Sequence, residues 1–251
     1  MRSCLYLLTA VLVLGALAGP LPANAQVARE PLDQRAGAAA PRTVAKYGFD
    51  GRRAGTVLDL SGNGHTMRLV TGRGGTVRSV VHGSGQGLQF PAKCSGRKCP
   101  HAVLQTPTSA VLNPGSRPIS FGATVRLARS QTSKGQNVVQ KGYSKTSSQY
   151  KLQVDGVLGN PSCVLVDVKK RGIKVVRSSV SVADGKWHVV ECRRVGIAFR
   201  VLVDGTVRGL LKVPAKLSVS NNRPLSIGGK GVYADNDQFN GAVDDVWVRI
   251  G

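Results

Sequence analysis

The sequence predicts an all-β fold, a jelly-roll sandwich of two packed antiparallel sheets. Three observations carry this expectation. First, Ala198-Phe-Arg-Val-Leu-Val-Asp204 alternates, with Phe199, Val201 and Val203 on one side and Arg200, Leu202 and Asp204 on the other, which is the two-residue period of a half-buried strand. Second, that strand is bracketed by tight-turn signals, Val195-Gly196-Ile197 before it and Asp204-Gly205 after it. The run therefore reads strand, turn, strand, turn, strand, which is antiparallel pairing. Third, the rest of the chain reads as short strand-like runs separated by turn residues, with 31 glycines and 12 prolines to supply the breaks. No long stretch carries a clean helical stripe, and short strands at regular spacing mean a sandwich or a barrel.

From the start of the chain, Met1 to Ala25 reads as a secretory signal segment. Arg2 gives a positive start, Leu5 to Leu17 is a short apolar run, and Ala23-Asn24-Ala25 fits a small-x-small cleavage site. The apolar run is shorter than the roughly 18 to 20 residues that span a bilayer, and no other stretch could be a transmembrane anchor. Residues 26–43 are rich in Ala, Pro, Gly and Arg without a period, and are expected to be a flexible lead-in. Residues 44–251 then form one sandwich domain. Within it the expected strands are Val77 to Val81, Gly87 to Phe90, Ala102 to Gln105, Ile119 to Leu127, Gln136 to Gln140, Tyr150 to Val154, Cys163 to Val168, Ile173 to Val176, the pair around Trp187 and Phe199, Arg223 to Ile227, and Ala242 to Ile250.

The formal net charge is +22, and loss of Arg2 with the signal segment leaves +21. The densest basic group is Lys169-Lys-Arg-Gly-Ile-Lys174 with Arg177, read as a hairpin tip; Arg52-Arg53 and Arg193-Arg194 are others. Such a charge concentrates polyanions. For an exported protein these are acidic glycans, teichoic acids or anionic membrane surfaces, and no motif for nucleic acid is present. A purely solubilising role is the competing account. Four cysteines survive cleavage, which in an exported chain reads as two disulfides with three possible pairings. Cys163–Cys192 and Cys94–Cys99 are favoured, the first as a bond between neighbouring antiparallel strands and the second as a small stapled loop. A zinc site from Cys94, Cys99 and His101 lacks a fourth ligand nearby.

Gly185-Lys-Trp-His-Val-Val190 followed by Val203-Asp-Gly205 resembles the central hairpin of laminin-G-like domains, in the concanavalin A-like lectin/glucanase group. Tyr47-Gly-Phe-Asp-Gly51 and Asp59-Leu-Ser-Gly-Asn-Gly-His65 resemble the family's opening. Pro224-Leu-Ser-Ile-Gly-Gly229 resembles the strand after the hairpin, and Phe239-Asn-Gly-Ala-Val-Asp-Asp-Val-Trp-Val-Arg249 the closing strand. The resemblance implies a concanavalin A-like sandwich and says less about the ligand, because one fold hosts many functions.

Chemistry is sparse. Glycoside hydrolysis needs two carboxyl groups across a cleft, yet the exported chain has only Glu30 and Glu191, and the Glu-x-Asp-x-x-Glu of related glucanases is missing. Asp244 and Asp245 are adjacent and are expected on opposite faces of a strand. There is no nucleophile elbow. Calcium is the expected cofactor, since the resemblance implies such an ion and Asp50, Asp59, Asn63 and Asp244 offer oxygens where first and last strands would lie side by side. The ligand-binding candidates are Tyr143 and Gln149 in one loop and Tyr233, Asp235, Asn236 and Asp237 in another. Trp187 and Trp247 are expected in the core. The function expected is a secreted, non-catalytic binding module for carbohydrate or an anionic cell-surface polymer. The alternatives are a protein–protein or structural module without a sugar site, and a divergent glycoside hydrolase or polysaccharide lyase.

Overall fold

The computed structural model describes residues 40–251 except 52–54, 97 and 170–171. The signal segment, nearly all of the lead-in with Glu30, the pair Arg52-Arg53, and Lys170-Arg171 of the expected basic hairpin tip lie outside the described residues. The described residues form sixteen strands: β1 (Arg42–Tyr47), β2 (Thr56–Val57), β3 (Met67–Gly72), β4 (Arg78–His82), β5 (Gly85–Gln89), β6 (His101–Gln105), β7 (Ile119–Arg126), β8 (Gly135–Gly142), β9 (Gln149–Asp155), β10 (Asn160–Val166), β11 (Ile173–Arg177), β12 (Trp187–Val195), β13 (Ala198–Val203), β14 (Thr206–Lys212), β15 (Leu225–Ile227) and β16 (Ala242–Ile250). β1 takes in Arg42 and Thr43, the last two residues of the stretch read as lead-in. β3 was not expected as a strand; Arg68 and Thr71 interrupt its apolar residues, so its two-residue period is weak.

Two antiparallel sheets make a sandwich. Sheet 1 runs β14-β13-β12-β7-β16-β5-β4, with β1 also paired to β16; sheet 2 runs β11-β10-β9-β8-β15-β6-β3-β2. Alternation decides which residues fill the space between them. Phe121, Ala123 and Val125 of β7, Phe199 and Val201 of β13, and Tyr150 and Leu152 of β9 are fully buried. The rings of Phe121 and Tyr150 meet across the layers at 5.0 Å between centroids. Each fully buried aromatic or aliphatic side chain of this kind stabilises by roughly 1.5 to 3 kcal/mol.

Both favoured disulfides form. The reason given for one of them is corrected: Cys163 lies on β10 in sheet 2 and Cys192 on β12 in sheet 1, so the bond ties the two layers through the core instead of joining neighbouring strands. The Cys94–Cys99 bond removes both thiolates from the zinc alternative. Two further basic residues are structural. Arg194 is buried and donates to the carbonyls of Gly196, Leu217 and Ala215, and Arg193 makes a bidentate pair with Glu191.

β16 changes neighbours partway along. Ala242 and Val243 pair with β5, whereas Val246 to Ile250 pair with β1. At the changeover the register with β7 slips between Asp244 and Trp247, and Asp245 adopts a left-handed φ of 46°. This is a bulge, and Asp is among the few residues that tolerate that conformation.

Candidate functional site

The outward face of sheet 2 is unusually polar for so buried a surface. Gln105, Ser226, Gln140 and Lys151 lie side by side across β6, β15, β8 and β9. Gln140 and Asn137 are almost fully buried and bonded to each other, Asn137 Nδ2 donating to Gln140 Oε1 at 2.7 Å. Gln105 Nε2 donates to Ser226 Oγ at 3.0 Å. The segment 228–238 lies over this row. Lys230 O accepts from Tyr143 Oη at 3.0 Å, Asp237 O accepts from the Asn137 N–H at 2.8 Å, and Lys230 Nζ pairs with Asp237 at 2.6 Å.

Between this segment and the turn 143–148 lies a pocket of about 450 Å³. Tyr143, Ser144, Lys145, Thr146 and Gln149 line one side, Lys230, Tyr233 and Asp235 another, with Lys151 from β9. Four of the six ligand-binding candidates thus come together: Tyr143, Gln149, Tyr233 and Asp235. The other two do not line it. Asn236 is 2 % exposed and donates to Gly231 O and Gln238 Oε1, and Asp237 is held by Lys230. Both fix the segment behind the pocket. Tyr233 is 48 % exposed; partial burial, with Tyr143 and nearby carboxylates, pushes its phenol up to about 12. The Arg223 guanidinium covers the Tyr143 ring at 5.3 Å. The sequence reading missed Lys151, because an alternating strand gave no sign that its outward face would be roofed. The Gln-x-Lys-x-Gln row of β9 was the available signal.

A second cluster sits at the β16 bulge. Asp50, His82, Gly83 to Gln86, Asp244 and Asp245 line it. Ligand-type atoms of His82, Asp244 and Asp245 lie within 4.8 Å of one another. The expectation that Asp244 and Asp245 point apart is therefore corrected, since the bulge breaks the alternation it assumed. His82 Nδ1 lies 2.7 Å from Asp244 Oδ2, and Asp50 Oδ1 accepts from the Gln86 N–H at 2.6 Å. Burial and the neighbouring Asp244 charge push the Asp245 carboxyl up. Of the four calcium candidates, Asp50 and Asp244 share this place. Asp59 and Asn63 do not line it: Asp59 accepts from the N–H groups of Lys46, Ser61 and His65, and Asn63 donates to Thr43 O. Burial works against the Asp59 charge, but its hydrogen bonds from Ser61, His65 and Lys46 hold its carboxyl below the usual range. Both residues shape the opening loop.

The outward face of sheet 1 holds the two tryptophans, which correct the core expectation. Trp187 and Trp247 are half-buried on that face. Trp187 lies over Gly87, tilted against His82 at 4.3 Å and under Arg126 at 5.0 Å. Trp247 lies over Gly122, where an added Cβ would come within 2.5 Å of the ring. Gly122 on the neighbouring β7 leaves a flat bed for Trp247, and Gly87 on the more distant β5 leaves room for the far edge of the Trp187 ring.

A family model of laminin-G type, described as the concanavalin A-like lectin/glucanases superfamily, matches residues 101–249. No curated protein matches in sequence. Among solved structures, the binding domain of Paraclostridial Mosquitocidal Protein 1 superposes with a TM-score of 0.61 at 13% identity, covering 82% of this chain and 48% of that one. Domain 4 of AbnA, a GH43 extracellular arabinanase from Geobacillus stearothermophilus solved with arabinotriose, gives 0.61 at 16% identity, covering 84% and 93%. The binding domain of botulinum neurotoxin DC in complex with SialylT gives 0.58 at 12% identity, covering 82% and 47%. The chain spans about half the length of the two toxin domains and nearly all of the arabinanase domain. At these identities the likeness is one of fold. With the family match spanning more than half of the residues and the two-sheet sandwich in place, the chain belongs to the concanavalin A-like lectin/glucanase superfamily.

Proposed function

We propose that this protein is a secreted, non-catalytic binding module that takes a carbohydrate in the pocket between Tyr143 and Tyr233. The observation that carries the reading is the convergence of two tyrosines and Asp235 in one loop-built pocket on a rigid sandwich, floored by Gln149, whose Nε2 donates to Gly142 O. Tyrosine rings offer apolar faces to sugar C–H groups, while amide and carboxylate groups answer the hydroxyls. Two disulfides support an extracellular setting, and no described helix is long and apolar enough to cross a membrane. The structural neighbours include domains solved with arabinotriose and with SialylT, which is support by analogy of fold. The positive charge would draw anionic cell-surface polymers toward the module.

The test is isothermal titration against a panel of neutral and acidic oligosaccharides. Tyr143→Ala and Tyr233→Ala are each expected to weaken binding roughly tenfold or more, as central aromatic contacts do. Binding that survives both changes would move the site elsewhere, and absence of binding to every sugar would favour a protein–protein module. The exposed apolar tip Val157-Leu158 is the observation that favours that second reading.

We also infer a structural calcium at the β16 bulge. Asp50, Asp244 and Asp245 would supply hard oxygen ligands, and the Asp50 carboxylate lies against Gly85 where any Cβ would clash. The ion would neutralise the cluster and tie the loop after β1 to β16. Added calcium is expected to raise the melting temperature of the wild type and not of Asp244→Asn. Equal response of both would remove the ion from this place.

A further inference from the structure

We propose that the Tyr143–Tyr233 pocket selects a sugar bearing a single carboxylate, a uronic-acid residue, and that Lys151 is its counter-ion. The inference rests on the glycan reading of that pocket and adds to it the charge of the ligand.

Lys151 sits in the middle of β9, cross-strand from Gln140 on one side and Val164 on the other. Its chain neighbours Tyr150 and Leu152 are fully buried between the sheets, so alternation puts Lys151 on the outward face, where it lines the pocket. The side chain is half-buried. Among the described residues its ammonium has no hydrogen-bond acceptor and no carboxylate at ion-pair distance. Its surroundings differ from those of Lys230 and Lys141. Lys230 is neutralised by Asp237 at 2.6 Å. Lys141, on β8, is fully buried but donates to Asn221 O, Asn221 Oδ1 and Arg223 O.

A partly desolvated cation without a partner is costly to the fold, and such groups concentrate where a ligand supplies what is missing. Burial, with Lys230 nearby, holds the Lys151 ammonium below the usual lysine range, against the weaker pull of Asp237 and Asp155. The charge of the site sets the valence. Lys145, Lys151 and Lys230 stand against Asp235 on the rim and Asp237 behind, three positive charges to two negative, a net single positive charge. A singly charged carboxylate completes that balance, whereas a doubly charged phosphate would face two carboxylates. The tyrosines and Gln149 then hold the rest of the ring, and the open side of the pocket leaves room for the sugar on either side in a chain.

The test compares each acidic oligosaccharide with its own methyl ester, which keeps the sugar and removes the charge. Oligogalacturonate and oligoglucuronate, each beside its methyl ester, are titrated calorimetrically into the intact mature protein. The proteins are wild type, Lys151→Met, which keeps the aliphatic stem, and the distant double variant Lys174→Gln/Lys216→Gln as a control for net charge. For the wild type we expect at least a tenfold preference for one of the acids over its ester. Lys151→Met is expected to bring that ratio to about one without weakening the ester, and the distant variant to leave it unchanged. Thermal melts check folding, and Lys151→Met is expected to melt no lower than wild type because it removes an unpaired buried charge. Equal binding of acid and ester by the wild type, or a preference that survives Lys151→Met, would overturn the proposal while leaving the glycan reading intact. If only neutral sugars bind, and do so through Tyr143 and Tyr233, the charge assignment alone falls. If no sugar binds, both fall.

Discussion

Removing the Cys163–Cys192 bond is predicted to cost far more stability than removing Cys94–Cys99. The first closes a separation of 29 residues and the second one of 5. Loop-closure entropy alone then gives about 3.6 kcal/mol for the longer bond and about 2.1 kcal/mol for the shorter at 25 °C. The surroundings widen the gap. Cys163 and Cys192 are fully buried between the sheets, whereas Cys94 is exposed. Alanine at both core positions removes two sulfur atoms from a packed interface and adds on the order of 1 kcal/mol. The Cys163→Ala/Cys192→Ala variant should therefore lose about 4 to 5 kcal/mol, or roughly 8 to 20 °C in melting temperature for a domain of this size. The Cys94→Ala/Cys99→Ala variant should lose about 2 kcal/mol, roughly 4 to 8 °C. Urea unfolding followed by tryptophan fluorescence, with thermal melts in parallel, measures both. Equal losses, or a larger loss at Cys94/Cys99, would refute the assignment of the longer bond as the tie between layers.

Other predictions concern charge and packing. His188 bridges Asp204 at 2.8 Å and Asp184 at 3.1 Å, and although burial opposes it, these partners raise its imidazole above the usual value. A raised folded value gives stability that is fully present below the unfolded value near 6.5 and lost as pH rises through the folded one. The advantage of wild type over His188→Gln in urea melts should be largest near pH 5.5, at most about 1 kcal/mol, and fade above neutrality. Burial lowers Lys141 to about 8, so its proton opposes folding at neutral pH and the penalty lifts as pH rises from about 8 toward its unfolded value near 10.4. Wild type should gain stability relative to Lys141→Met between about pH 8 and 9.5, before Tyr47 and Tyr150, whose phenols burial pushes up, begin to act in the opposite sense. Gly122→Val should lose roughly 2 kcal/mol or more and redden the tryptophan emission, because its side chain would enter the space of the Trp247 ring and the Val190 carbonyl.

The strands from β7 to β13 were legible because their apolar residues alternate between turn residues, and β12 with β13 follow the sequence reading closely. Cysteine count left three pairings, and the favoured one formed although the neighbouring-strand reason for its longer bond did not hold. Consecutive strands stay in one sheet for several steps, β8 to β11 in sheet 2 and β12 to β14 in sheet 1, and only the pairing pattern tells where the chain changes layer. The opening loop illustrates a different gap. Asp59 has the composition of a ligand, yet three backbone N–H groups use its oxygens. Asp245 was discounted by a rule that holds for regular strands and fails at the bulge, where β16 exchanges β5 for β1. Arg194 looked like surface charge until its three carbonyl partners placed it inside. Tyr143 and Tyr233 were found as loop aromatics, while Lys151 required knowing that residues 228–238 roof the outward face of sheet 2.

The central claim is that ligand enters between the turn 143–148 and the segment 230–235 on sheet 2. Backbone amide shifts in a ¹⁵N-labelled protein, recorded while an oligosaccharide that binds is titrated in, test it most directly. The account predicts that the largest shifts fall on residues 143–151 and 230–237, with little change at Trp187, Trp247 or the basic residues Lys169, Lys174 and Arg177. Shifts confined to the tryptophan face of sheet 1, or to Lys169, Lys174 and Arg177, would contradict it.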